Sequence, residues 1–138
     1  MTRPGFEIDL LVPGTPEEVW ARLWDLDRHT AAVPLTTVHG GTLGPGASFL
    51  GRTRIGPLHL DDEMVVHTWE PPHHAVVDKV GRPLRGRIEV RLRAAGPDTR
   101  LRWEQSLGAV GVPDALAAWA AGPVRAGYLR ALRRITRP

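Results

Sequence analysis

The chain contains no cysteine, which excludes a disulfide framework, a thiolate zinc site and a cysteine nucleophile. It has no apolar run near the about 18 residues that a membrane-spanning helix needs, and its N-terminus lacks a secretory apolar core. A soluble, cytoplasmic protein without membrane insertion is expected. Lysine is almost missing: of 18 basic residues only Lys79 is a lysine, and the rest are arginine. Those arginines are spread along alternating segments rather than gathered into a stripe, so no nucleic-acid partner is expected despite the net charge of +3. Histidine pairs with metal-ligand spacing are also missing. His73-His74 follow Pro71-Pro72 in a turn, and His59 and His67 lie too far apart on one strand to share an ion. No metal and no cofactor is expected. Ser48 and Ser106 fall on a polar strand face, which leaves no serine triad to argue. The run Gly40 to Gly46 reads as a hairpin turn without a following helix, not as a phosphate loop.

What is present has a clear order over 138 residues, a length that suits one domain spanning 1–138. Phe6, Ile8, Leu10 and Val12 alternate with less apolar neighbours, the pattern of a half-buried strand. Pro13-Gly14 stops it. Thr15, Pro16, Glu17 and Glu18 then supply an N-cap, a first-turn proline and the capping-box spacing. Val19, Trp20, Leu23 and Trp24 give the apolar side of a short helix ending near Asp27. A second short helix is expected over Arg28 to Val33, before Pro34. Strands are then predicted over Leu35 to Gly41, Ala47 to Ile55, Leu58 to Glu70, Ala75 to Gly81, Leu84 to Ala94 and Thr99 to Leu107. Turns rich in glycine and proline separate them, Arg82-Pro83 among them.

Two strands have unambiguous faces. Leu84, Gly86, Ile88, Val90 and Leu92 alternate with charged residues, and Leu101, Trp103, Gln105 and Leu107 alternate with Arg100, Arg102, Glu104 and Ser106. A sheet with one dry and one wet face is antiparallel and covered on one side, and consecutive strands with short turns favour a meander. The cover is the last helix, Val112 to Ile135, whose stripe runs through Leu116, Trp119, Ala120, Val124, Tyr128, Leu132 and Ile135. At 1.5 Å per residue it spans about 35 Å, close to the about 36 Å of an eleven-residue strand. Gly122-Pro123 interrupts it, predicting either two helices or one bent one. The fold class is α+β, with the helices segregated to one face of the sheet.

This order resembles the START-related SRPBCC, or polyketide cyclase/dehydratase-like, superfamily. The matching stretches are Phe6-x-Ile8-x-Leu10-x-Val12 leading into Pro16-Glu17-Glu18-Val19-Trp20, Asp27, and Asp62-x-Met64-x-Val66 leading to Trp69-Glu70-Pro71-Pro72. The Leu84-x-Gly86 strand, the Asp98-Thr99-Arg100-Leu101 turn and the terminal helix complete the likeness, which covers nearly the whole chain. The resemblance implies a helix-grip fold, a curved antiparallel sheet of about six or seven strands wrapped around the long C-terminal helix, with two short helices after the first strand. It also implies a cavity between sheet and helix for lipids, polyketides or other apolar molecules. It does not imply one chemistry, because members include carriers, cyclases and regulatory domains.

The dry face nominates the site residues. Parity with Met64 and Val66 points Leu58, Leu60, Asp62 and Thr68 inward, although Val65 and Trp69 disagree with it. Asp62, a carboxylate on a dry face, suits a general acid or base. So does His29 in the second short helix. Gln105 offers a donor and an acceptor to a ligand carbonyl. Trp103, Met64, Thr53, Trp119, Val124 and Tyr128 are further ligand-binding candidates. Gly51 and Gly86 bend the sheet or leave room within it. Three functions share this face. The first is a pocket for a small apolar or aromatic molecule, including cyclisation or dehydration of a polyketide-like carbonyl compound. The second is a non-catalytic carrier or sensor, and the third a regulatory domain with a filled core. A monomer or homodimer fits each.

Overall fold

The computed structural model describes residues 4–81, 84–109 and 111–138. The Arg82-Pro83 turn lies outside them. Strand β1 (Gly5–Pro13) leads into helices α1 (Pro16–Leu23) and α2 (Leu26–Ala32). Strands β2 (Thr36–Gly40), β3 (Ser48–Ile55), β4 (Leu58–Glu70), β5 (His74–Lys79), β6 (Leu84–Ala95) and β7 (Asp98–Ser106) follow. A two-residue strand β8 (Gly108–Ala109) precedes the long helix α3 (Asp114–Ile135).

The capping box forms as the sequence predicts. The Glu18 amide donates to Thr15 Oγ1 at 3.2 Å, and the Thr15 amide donates to Glu18 Oε1 at 3.4 Å. The next boundary differs from expectation: α1 ends at Leu23, and α2 begins at Leu26 rather than Arg28. The cause is Asp25, whose carboxylate accepts from the Asp27 amide at 3.1 Å and so caps a new helix two residues early.

All strand pairs are antiparallel, in the order β1-β7-β6-β5-β4-β3-β2, with β8 paired to the start of β6. From β2 to β7 the sheet is the expected meander. β1 joins its opposite edge, beside β7, so α1 and α2 carry the chain across the dry face from one edge to the other. That crossing is what places His29 over the sheet.

Alternation decides the layers. Ile88, Val90, Leu92, Leu101 and Trp103 are buried, while several of the intervening arginines are tied to acids on the outer face. Arg102 donates to Glu104 at 2.8 Å, Glu7 at 2.9 Å and Asp9 at 3.2 Å, bracing β7 against β1. Arg87 pairs with Asp78, and Arg52 with Asp61, both at 2.7 Å. Arg52, Arg87 and Arg102 thus serve cross-strand pairing.

The long strand β4 resolves its own parity conflict. Its register with β5 shifts between Val66 and Thr68, so Val66 faces Val77 while Trp69 faces Ala75. A bulge adds one residue and turns the rest of the strand over. Trp69 therefore points inward, and Thr68 does not keep the parity of Val66. Gly86 has φ +143°, and a Cβ there would stand 2.2 Å from the Ser106 carbonyl oxygen. It sits where β6 leaves β7 for β8, so it serves close approach and bending rather than an opening.

Helix α3 is continuous through Pro123. It packs against β1, α2, α1 and β8, and its buried positions are Ala117, Leu132 and Ile135. Trp119 departs from the predicted apolar stripe: it is 78% exposed, with Leu116 exposed beside it. The first turns of α3 leave one side of the stripe uncovered, whereas its last turns are pinned by α2. There Arg28 donates to the Ile135 carbonyl at 3.0 Å. Among the described residues no helix is long and apolar enough to cross a membrane.

Candidate functional site

Between the dry face, α2 and α3 lies a cavity of about 580 Å³. Its walls come from four sources: Trp24, His29 and Ala32 around α2; Phe49, Gly51 and Thr53 of β3; Asp62 and Met64 of β4; and Val124 and Tyr128 of α3. Small-molecule sites commonly measure some 300–1,000 Å³ and set a few polar groups in apolar walls. This cavity fits both descriptions.

Of the residues nominated from sequence, Asp62, His29, Met64, Thr53, Trp103, Val124 and Tyr128 meet on this lining. Gln105 and Trp119 do not. Gln105 is buried, but its Oε1 accepts from Trp103 Nε1 at 3.0 Å, so that bond ties it into the packing of β7. Trp119 stands on the uncovered side of α3.

The polar centre of the cavity contains a residue that no sequence motif singled out. Lys79 ends β5 and is buried, with its ammonium donating to Asp62 Oδ2 and, at 3.2 Å, to the Tyr128 hydroxyl. It stands behind the lining, while Asp62 and Tyr128 face the space. Burial is the largest influence on Lys79 and pulls its pKa down. The neighbouring Tyr128 and Asp62 oxygens together outweigh burial, and the pKa ends above its ordinary 10.5. The amine is therefore a fixed cation. Its signal in the sequence was the parity Ala75, Val77, Lys79, with the only lysine of an arginine-rich chain in an inward position. Apolar Val76 and Val80 on the other parity hid that alternation.

Two shielded polar side-chain atoms lack a hydrogen-bond partner among the described residues, Trp24 Nε1 and Asp62 Oδ1. Both belong to residues of the cavity wall. Leaving such groups unmade costs about 1–3 kcal/mol each, so their clustering here marks the cavity as the place where polar matching is incomplete.

His29 is held neutral. Burial is the largest influence on it and lowers its pKa below the ordinary 6.5. Its Nε2 lies 2.5 Å from the Leu23 carbonyl oxygen. A carbonyl only accepts, so the proton is on Nε2 and Nδ1 is left as the acceptor. Thr53 donates to Thr36 Oγ1 at 2.7 Å, because Thr36 spends its own proton on the Pro34 carbonyl at 3.1 Å. This pair closes the wall where β2 meets β3. Among the described residues no group of three His, Cys, Asp or Glu side chains is arranged for a metal ion.

A curled antiparallel sheet gripping a long C-terminal helix, with two short helices after the first strand, is the helix-grip fold. Solved structures with the same fold include the Zhui aromatase/cyclase from Streptomyces sp. R1128. It has a TM-score of 0.73 and 14% identity over 98% of this chain and 92% of that one. Ara h 8.0201 superposes with a TM-score of 0.71 and 12% identity over 97% and 98% of the two chains. The protein TTHA0849 from Thermus thermophilus gives 0.72 and 10% over 96% and 97%. At these identities the likeness is one of fold. No protein-family model and no curated protein matches the sequence.

Proposed function

We propose that the protein binds a small, largely apolar or aromatic molecule in the cavity between the sheet and α3. The observation that carries this reading is the cavity itself: about 580 Å³ of space, walled mainly by apolar side chains, with Trp24 and Asp62 of its lining each carrying a shielded polar atom that has no partner among the described residues. The filled-core alternative has no counterpart in such an interior. The printed name of the Zhui aromatase/cyclase lends support to a ligand related to polyketides.

A catalytic version of the reading has Asp62 or His29 moving a proton during cyclisation or dehydration of a carbonyl compound, since both stand on the lining. Gln105 is left out of this version, since it is not on the lining and its side-chain oxygen accepts from Trp103. The carrier or sensor version needs only the cavity.

Titration with the neutral fluorophore N-phenyl-1-naphthylamine tests the binding reading that both versions share. Saturable one-to-one binding is expected. In the Gly51→Leu variant a side chain would enter the cavity from β3, where a Cβ has only ordinary contacts at 3.8 and 3.9 Å. Filling that space is expected to weaken binding by about tenfold. No binding to the wild type, or equal binding to a folded Gly51→Leu protein, would overturn the proposal.

A further inference from the structure

Lys79, Asp62 and Tyr128 form a three-residue unit whose hydrogen-bond inventory is open in two places. An ammonium has no lone pair, so Lys79 must donate to the Tyr128 oxygen, and the phenolic proton is left to point elsewhere. No acceptor for that proton is found among the described residues. Asp62 accepts from Lys79 through Oδ2 only, and Oδ1 is shielded from solvent without a donor. One donor and one acceptor are thus unused, both on side chains of the cavity wall and both held by the same ammonium behind it.

The surrounding contacts hold this arrangement in place. The Tyr128 ring packs on Phe6 and Trp103 at centroid distances of 5.6 and 5.9 Å, which fixes where its hydroxyl lies. Asp62 is carried by β4 opposite Gly51 of β3, the position that leaves room in front of it. Lys79 ends its strand beneath both, with its side chain 5% exposed. The charge within the unit sums to zero, since the lysine is already matched by the aspartate, and the arginines of the lining, Arg130 and Arg134, belong to α3 outside it.

We propose that this unit reads a neutral hydroxyl on the cavity ligand, a phenolic or alcoholic group that accepts from Tyr128 and donates to Asp62. The inference rests on the cavity being a binding site, as proposed above, and adds which functional group is recognised and by which residues. Other oxygen functions match less well. A ketone or ether oxygen accepts from Tyr128 but leaves Asp62 Oδ1 unmatched. A carboxylate leaves it unmatched too and sets a second negative charge beside it, with no uncommitted lysine charge to offset the repulsion. Only a group that both accepts and donates closes the inventory. Lys79 is a positioning residue in this scheme, holding the two side chains that touch the ligand.

The test compares 2-naphthol with 2-methoxynaphthalene, which has the same rings and an oxygen that accepts but cannot donate. Binding of both is measured by calorimetry and by naphthol fluorescence. The wild type is expected to prefer 2-naphthol by about tenfold, the value of one added hydrogen bond to a shielded charged acceptor. Bound naphthol is also expected to emit in part as the deprotonated species, because the excited phenol passes its proton to the Asp62 carboxylate. Tyr128→Phe should weaken both compounds while keeping the preference, because Asp62 still accepts from the naphthol alone, whereas the charge-neutral double variant Lys79→Met with Asp62→Leu should bind the methoxy compound while losing the preference. The double variant should also lose the deprotonated emission. Lys79→Met alone leaves Asp62 unpaired and is set aside as a test of binding for that reason.

Equal affinity of the wild type for the two compounds would overturn this inference while leaving the cavity reading in place. So would a preference retained in the double variant. Absence of binding by either compound, together with failure of N-phenyl-1-naphthylamine to bind, would instead remove the cavity reading on which it rests.

Discussion

The two ends of the sheet are built on opposite principles. At the end where β1 runs into α1 and β4 into β5, three indoles interlock. Trp69 meets Trp20 edge to face at 4.9 Å and Trp24 at 5.3 Å, with Val19 and Leu23 of α1 fully buried nearby. At the other end lie the β3–β4 turn, the end of β5 and the start of α3. Among the described residues every exposed large apolar side chain except Leu11 lies there, from Leu35, Ile55 and Leu58 to Leu116 and Trp119. One end has its aromatic residues packed against each other, and the other shows its apolar residues to solvent around the cavity. Edge-to-face aromatic pairs add about 0.5–1.5 kcal/mol each beyond burial, so the packed end holds the fold and the open end is free to serve a ligand. The Lys79–Asp62–Tyr128 unit sits toward the open end, where β4 begins and β5 finishes.

The largest effect that would sharpen this contrast comes from the packed end. Leu23→Ala there is expected to cost about 2–5 kcal/mol, because α1 is clamped between α3 and the sheet and cannot collapse into the space. Toward the open end, Lys79→Met strands a half-buried carboxylate and is expected to lower unfolding free energy by up to about 3 kcal/mol. Adding Asp62→Leu should restore most of the loss, as read by urea denaturation. If the single variant keeps wild-type stability, the pair does not hold the two halves of the site.

A smaller effect separates two histidines by pH. His74, on the outer face, donates to both Glu70 and Glu89 at 2.8 Å, with the Glu70 bond the larger cause, and its pKa is raised above 6.5. Its contribution is fully present below pH 6.5 and lost as pH rises through the raised value. His29 is lowered by burial, so its contribution is present above pH 6.5 and lost as pH falls toward the depressed value. Stability measured from about pH 5 to 8 should decline less toward acid in His29→Gln. In His74→Gln it should decline less toward alkali. Slopes of the same sign would contradict the two environments. The smallest effect belongs to the open end: Trp119→Ala should change stability by less than about 0.5 kcal/mol. A loss of several times that would mean the first turns of α3 are held by contacts the fold does not display.

Much of this was legible in the chain. The alternation in β6 and β7 named their buried residues, and Thr15 with Glu18 named the start of α1. Seven of the nine nominated site residues line the cavity. The misses have identifiable causes. Parity beyond Val66 failed because a bulge inserts one residue, and a bulge leaves no mark in an alternation count. Gln105 shares the inward face of β7, but parity gives a face and not a position along it, and its bond to Trp103 keeps it from the cavity. Trp119 fits a helical stripe that three-dimensional packing covers only in part.

By itself the sequence determined the elements, their faces and their order, because hydrophobic period and capping chemistry act over a few residues. Tertiary structure decided which polar groups share one space. Lys79, Asp62 and Tyr128 come from two strands and the last helix, and only strand register and the seat of α3 bring their atoms within bonding distance. It also decided that the interior is open, since volume left between a curled sheet and a helix depends on how closely the two approach. No local pattern records that approach.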